Sequence, residues 1–247
     1  MAISLTTTIA IGIVFWGTAE PLYHLYAPGG TEIEPGSREA QKFSMVSMFM
    51  HWSFTPYAIY TIPGLTFALV YYNLKKPFSL SSPLKVLTGR PIPKLASDML
   101  DALALLALLL GLSASLGTGI LSISGGITRL VSIPSSTIIL FGIALAIVAA
   151  FFISSATGLH KGIRILSDIN TKIFLAIIVF IIFTGPTLAI AKLGGESVIQ
   201  YVRDFIPRSL TLAPFNNRAW LNSWTVFYFA NWMAWAPLAG LFLGRIY

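Results

Sequence analysis

The chain has 247 residues, no cysteine, 55% hydrophobic and only 10% charged residues, and a formal charge of +7. With a mean hydropathy of +0.78, against about a quarter charged residues in soluble domains, this composition excludes a soluble globular domain. The absence of cysteine excludes disulfides and thiolate metal sites.

Six hydrophobic segments come close to the about 20 residues needed to cross roughly 30 Å of hydrocarbon. They are 2–16, 43–72, 100–120, 135–155, 173–191 and 220–243. The expected architecture is therefore an all-α polytopic membrane protein. Between the segments lie a Pro/Gly/Glu-rich loop at 20–42, a Lys/Arg-bearing loop at 74–97, a Gly/Ser turn around 122–134, a short loop at 160–172 and a connector at 192–218. The apolar start lacks a basic leader, so the chain is expected to begin in a membrane helix and not in a cleaved signal.

The positive charge would suggest nucleic acid in a soluble chain. Here it is read loop by loop, and no nucleic-acid partner is expected. With Met1 cytoplasmic, nine Lys/Arg residues fall on the inner side against seven outside, and five of the nine (Lys75, Lys76, Lys85, Arg90, Lys94) share one loop. The acids Glu20, Glu32, Glu34 and Glu39 crowd the opposite face. This places the N-terminus inside, in a plasma membrane.

The most informative stretch is Trp224–Trp235. On a helix, Trp224, Tyr228, Trp232 and Trp235 follow at steps of four, four and three and line one face, with Asn231 at its edge. Such a stripe is either interfacial or packing aromatics or a cation–π surface, suited to a quaternary ammonium that cannot donate a hydrogen bond. No Asp or Glu is expected inside a span, so an intramembrane cation would meet only rings and carbonyls. The second segment adds Trp52, Tyr57 and Tyr60 around Pro56, which removes a backbone donor and should free the carbonyl of Trp52. Pro63 reads as an ordinary kink. His51 reads as a hydrogen-bonded interior histidine, because neither an acid nor a second histidine lies near it in sequence.

Gly12 and Gly17 of the first segment allow either close helix packing or an unwound helix whose carbonyls hold an ion. The stretch Gly111–Gly119 reads as a small-residue packing surface. Residues 158–168 read as an amphipathic inner-surface segment. Val198, Tyr201, Val202 and Phe205 read as one face of an interfacial or subunit-contacting helix ended by Pro207. No span offers a nucleophile–base pair, a metal cluster or paired carboxylates, so catalytic residues are not expected and the protein is not read as an enzyme.

In this order and spacing, Phe15-Trp-Gly-Thr-Ala-Glu-Pro-Leu-Tyr-His24, His51-Trp with Pro56-Tyr-Ala-Ile-Tyr60, Ser115-Leu-Gly-Thr-Gly119, Gly158-Leu-His-Lys-Gly-Ile-Arg164 and Trp224-Thr-Val-Phe-Tyr with Trp232-Met-Ala-Trp-Ala-Pro237 resemble the betaine/choline/carnitine transporters. The resemblance implies a LeuT-type inverted-repeat fold of which this chain holds spans three to eight. The first five-helix repeat would occupy about 1–191, an amphipathic connector about 192–218 and the first helix of the second repeat about 219–247. It implies a secondary transporter, serving osmotic or nutrient uptake of glycine betaine, choline or carnitine by alternating access. Its aromatic box would map onto Trp52, Tyr57, Tyr60 and Trp232, with Trp235 nearer the inner end of the pathway. Tyr228 and Asn231 join these as candidate binding residues. No cofactor is implied beyond coupling to sodium or a proton, and the family's sodium site would draw on carbonyls near Thr6 and Ile9. A homotrimer in the lipid bilayer is also implied.

The departures are specific. The family's glycine-rich segment reads Thr8-Ile-Ala-Ile-Gly12, which leaves the backbone site for a substrate carboxylate without support, and two sodium-ligating threonines become Leu108 and Leu112. A non-transporting six-helix membrane subunit is the alternative reading of the same residues.

Overall fold

The computed structural model describes residues 10–29, 32–157, 162, 164–210 and 217–246. Every regular element among them is helical. The described residues fall into two compact units, one within 1–19 and 112–191, the other within 20–111 and 192–247.

In the second unit the chain leaves α1 (Ala10–Tyr26) and enters α2 (Arg38–Trp52). Ser37 caps α2, its hydroxyl accepting from the Ala40 N–H at 3.1 Å. The helix breaks at Ser53 (φ −101°, ψ −109°), and α3 (Phe54–Ala68) follows, continued by a π-helical turn at Leu69–Asn73. The expected continuous span at 43–72 is thus two helices. Pro56 lies in the first turn of α3, where its missing N–H would have no intrahelical partner in any case. The break therefore falls ahead of the proline, and the backbone runs helically through Pro63.

A short helix, α4 (Ser81–Thr88), interrupts the basic loop and ends on Gly89 at φ 63°. The next helix, α5 (Lys94–Val131), has 38 residues, roughly 57 Å at about 1.5 Å per residue. It runs on through Gly125-Gly126 and most of the turn expected around 122–134, and the chain turns at 132–136, at the end of that range. Ordinary α-helical φ/ψ suits glycine as well as any residue, so paired glycines weaken a helix without ending it.

The first unit holds the C-terminal part of α5, then α6 (Thr137–Ala156) and α7 (Arg164–Thr184). No residue of α6 is buried; Ile138, Phe151 and Phe152 present their side chains outward, as expected where the surroundings are lipid. The amphipathic segment expected at 158–168 lies partly outside the described residues, and its remainder forms the first turn of α7. The expected span at 173–191 is divided at Gly185-Pro186, where α7 ends before α8 (Thr187–Leu210) begins.

Helix α8 continues through Pro207 to Leu210, three residues beyond its expected end. Tyr201 and Phe205 turn toward the chain itself: the Tyr201 hydroxyl accepts from Ser53 Oγ at 3.0 Å, and the Phe205 ring lies 5.4 Å from Phe54. Val198 and Val202 stay exposed. In the middle of α8, Glu196 meets Arg38 at 2.7 Å and Lys42 at 2.9 Å. The Lys42 ammonium, joined by Arg38, holds this carboxyl below the usual carboxylate range. Arg38 is exposed and Lys42 and Glu196 are partly exposed, so screening limits their worth. Glu196→Gln is expected to lower the thermal midpoint slightly at low ionic strength and not at all in about 1 M salt, as followed by tryptophan emission.

The C-terminal segment is α9 (Arg218–Leu221), a π-helical turn at Asn222–Val226 and α10 (Phe227–Ile246). Among the described residues, four helical stretches are long and apolar enough to cross a membrane: α5, α6, α7 and Arg218–Arg245. In the second unit α10 packs along α3. Gly240 and Gly244, spaced as in small-residue helix contacts, let the backbones meet. A Cβ on Gly240 would lie 2.5 Å from Pro63 Cβ, and one on Gly244 would lie 2.8 Å from the Gly64 carbonyl oxygen.

Candidate functional site

The break at Ser53 leaves the last carbonyls of α2 without helical partners. One of them, that of His51, accepts the indole N–H of Trp232 at 2.9 Å. This bond ties α10 to the α2–α3 junction. It corrects the expectation that Pro56 would expose the carbonyl of Trp52: the carbonyl that is used belongs to the residue before it.

Around this bond the stripe of α10 meets the rings of α2 and α3. Trp232 lies 5.1 Å from Trp52 and 6.2 Å from Tyr60, both nearly perpendicular, and 5.9 Å from Tyr228, nearly parallel. Tyr228 in turn stacks on His51 at 4.9 Å and meets Trp52 edge-on at 5.3 Å. Tyr60, Tyr228, Trp232 and Ala236 are buried together, with Trp52, Trp224 and Trp235 packed against them. Of the expected binding residues, the structure thus brings Trp52, Tyr60, Tyr228 and Trp232 into one cluster. Trp235 adjoins it, its ring seated where a Cβ on Gly111 would fall 2.0 Å away. Tyr57 is 45% exposed and outside the cluster. Asn231 is half-buried beside it. Thr6 and Ile9 lie outside the described residues.

The larger correction is Glu20. Read as an outer-loop acid, it lies inside α1 and is fully buried. One carboxylate oxygen accepts the Trp52 indole N–H at 2.7 Å. The other pairs with His51 Nδ1 at 2.5 Å and His24 Nε2 at 3.2 Å. His51 Nε2 then faces the Thr225 hydroxyl at 3.0 Å, so with Nδ1 donating to Glu20 it accepts from Thr225. His51 is therefore the hydrogen-bonded interior residue expected, but it has both an acid and a second histidine as company. A carboxylate is also bonded to the edge of one ring of the cluster, Trp52, contrary to the expectation of rings and carbonyls alone. Burying a charge is tolerated where it is hydrogen-bonded, and both Glu20 oxygens are.

Glu20, His24 and His51 also present donor atoms within 4.8 Å of one another, a spacing a metal ion could use, against the expectation that no such cluster exists. As they stand, the shared oxygen serves both imidazoles as a hydrogen-bond acceptor. The sequence signal was present in Glu20 and His24, four residues apart and so on one helix face.

Beside the ring cluster is a pocket of about 300 Å³ lined by residues including His51, Thr55, Arg208, Thr225, Tyr228 and Trp232. That volume is at the lower end of small-molecule sites, about 300–1,000 Å³.

Long apolar helices with polar and aromatic groups gathered on their inner faces define an integral membrane protein of the all-α polytopic class. The profile of the BCCT, betaine/carnitine/choline family transporter, matches residues 1–247, and the chain belongs to that family. It is 35% identical over 235 residues to an ectoine/hydroxyectoine transporter of Virgibacillus pantothenticus, covering 95% of this chain and 46% of that protein. It is 33% identical over 243 residues to the glycine betaine transporter OpuD of Bacillus subtilis, covering 96% and 47%. To the osmo-independent choline transporter BetT1 of Acinetobacter baylyi it is 32% identical, covering 96% and 45%. The chain thus spans about half the length of the curated relatives it matches. Membership of a family of transporters agrees with the reading that the protein is not an enzyme.

Proposed function

We propose that this chain is the substrate-holding part of a secondary transporter for a small quaternary-ammonium or related onium compound. The cation would be held against Trp52, Tyr60, Tyr228 and Trp232. The observation that carries the reading is the convergence of these rings from three helices, α2, α3 and α10, with the Glu20 carboxylate bonded to the indole N–H of Trp52. An aromatic face gains attraction for a cation when desolvated, and a fixed negative charge nearby adds to that attraction. The names of relatives that carry betaine, choline and ectoine support the same substrate class.

The same reading includes alternating access in the plasma membrane with the N-terminus cytoplasmic, coupling to sodium or a proton, and a first repeat at about 1–191. It also includes a homotrimer, for which the exposed Val198 and Val202 on α8 offer a contact face.

The test is binding of glycine betaine and of choline to the chain in lipid nanodiscs, followed by tryptophan emission. Trp232→Ala is expected to weaken both by roughly thirtyfold, the equivalent of about 2 kcal/mol for a desolvated ring, with helix content retained. Unchanged affinity would overturn the aromatic site.

A further inference from the structure

We infer that Arg208 reads the carboxylate of a zwitterionic onium substrate, making the pocket beside Trp232 selective for onium carboxylates over onium compounds that lack one. The inference rests on the substrate class proposed above and adds to it the second recognition element.

The chemistry of the pocket is divided between its walls. From α10 and the turn before it come Tyr228, Trp232 and the Thr225 hydroxyl; from α8 come Arg208 and Ser209; Thr55 comes from the start of α3. Among the described lining residues none is acidic, while Arg208 brings a full positive charge. The rings of Tyr228 and Trp232 favour a cation, and the lining His51 is joined through Nδ1 to the Glu20 carboxylate. A guanidinium beside hydroxyls favours a carboxylate, which it can take bidentately. A zwitterion with a short spacer between its charges satisfies both walls; a simple onium alcohol satisfies only one.

Arg208 is held for this role. Its Nη2 donates to Ser47 Oγ at 3.1 Å, and its guanidinium carbon lies 5.7 Å over the Phe43 ring. Ser47 and Phe43 are both buried, so the guanidinium is positioned by the core of α2. Burial lowers its pKa to about 10, with Asp204 opposing the shift, and it remains charged at neutral pH.

The experiment compares glycine betaine and choline on the full chain in nanodiscs, wild type against Arg208→Gln and Trp232→Ala. Arg208→Gln is expected to weaken betaine at least about tenfold and to leave choline within about twofold, whereas Trp232→Ala weakens both. Equal loss of both ligands, or of neither, in Arg208→Gln overturns the assignment of Arg208 while the aromatic site stands on the Trp232→Ala result. No binding of either ligand by the wild-type chain overturns the aromatic site and this inference with it. Should Arg208→Gln fail to fold, the unmutated chain gives the same answer. Phenylglyoxal modification at Arg208, read by peptide mass, is expected to slow several-fold with betaine and not with choline; equal rates with both ligands overturn the inference.

Discussion

Glu20→Ala is expected to destabilise the second unit by about 3–5 kcal/mol, the range seen when one member of a buried charged network is removed. Alanine and glutamate are both good helix formers, so the loss cannot come from α1 itself. It comes from three donors that lose their acceptor together: Trp52 Nε1, His51 Nδ1 and His24 Nε2, each bonded to this one carboxylate. His24 suffers most, because its other ring nitrogen is buried without a partner. Trp52 and His51 then lose what fixes their rings against Tyr228, so onium binding should fall with stability. Glu20→Gln keeps one acceptor oxygen but turns an amide N–H toward another donor, and its cost should lie between wild type and alanine. Denaturant unfolding in detergent micelles, followed by tryptophan emission, measures all three. A Glu20→Ala chain within about 1 kcal/mol of wild type, the size of an ordinary substitution, would show that the carboxylate does not hold the site together.

The same residue shows where sequence reading stops. The spacing of Trp224, Tyr228 and Trp232 places them on one face by helical period alone, and the structure stacks them in that order. Trp52 and Tyr60, eight residues apart, also meet Trp232, even though the helix between them is broken at Ser53. Hydropathy marked the long apolar helices because length and composition suffice for that. The Glu20–His24 spacing was legible, but an acid followed by proline looks like a loop, and what buries Glu20 includes a partner 31 residues away, His51. The burial of a charge is a tertiary fact. Likewise Gly185-Pro186 divides one apolar run into two helices, whereas Gly125-Gly126 does not interrupt α5. Proline removes a donor and constrains its neighbour, while glycine merely lowers a propensity that the surroundings can override. Arg208 looked like one loop cation among several until the structure placed it in a pocket wall.

Gly240→Leu is expected to separate α3 from α10, and a chain free of cysteine allows this to be read directly. The Cβ of a residue at Gly64 would lie 3.7 Å from Leu243 Cβ, with no closer neighbour. That is close to the Cβ separation of a relaxed disulfide, about 3.8 Å. Gly64→Cys with Leu243→Cys should therefore cross-link within one chain almost completely on mild oxidation, seen as a shift in gel mobility that reverses with reductant. Adding Gly240→Leu forces a branched side chain into a position where even Cβ falls 2.5 Å from Pro63 Cβ and 2.9 Å from its carbonyl carbon. Backbone atoms cannot rotate aside as a flexible side chain can, so the helices must part. Overpacking a rigid contact costs on the order of 3 kcal/mol, and the cross-link yield should fall several-fold. Trp232 should feel the same displacement, because its contact with Tyr60 lies on the same helix pair. A cross-link yield unchanged by Gly240→Leu would mean that α3 and α10 are not held at backbone contact, and the ring cluster would then need another support.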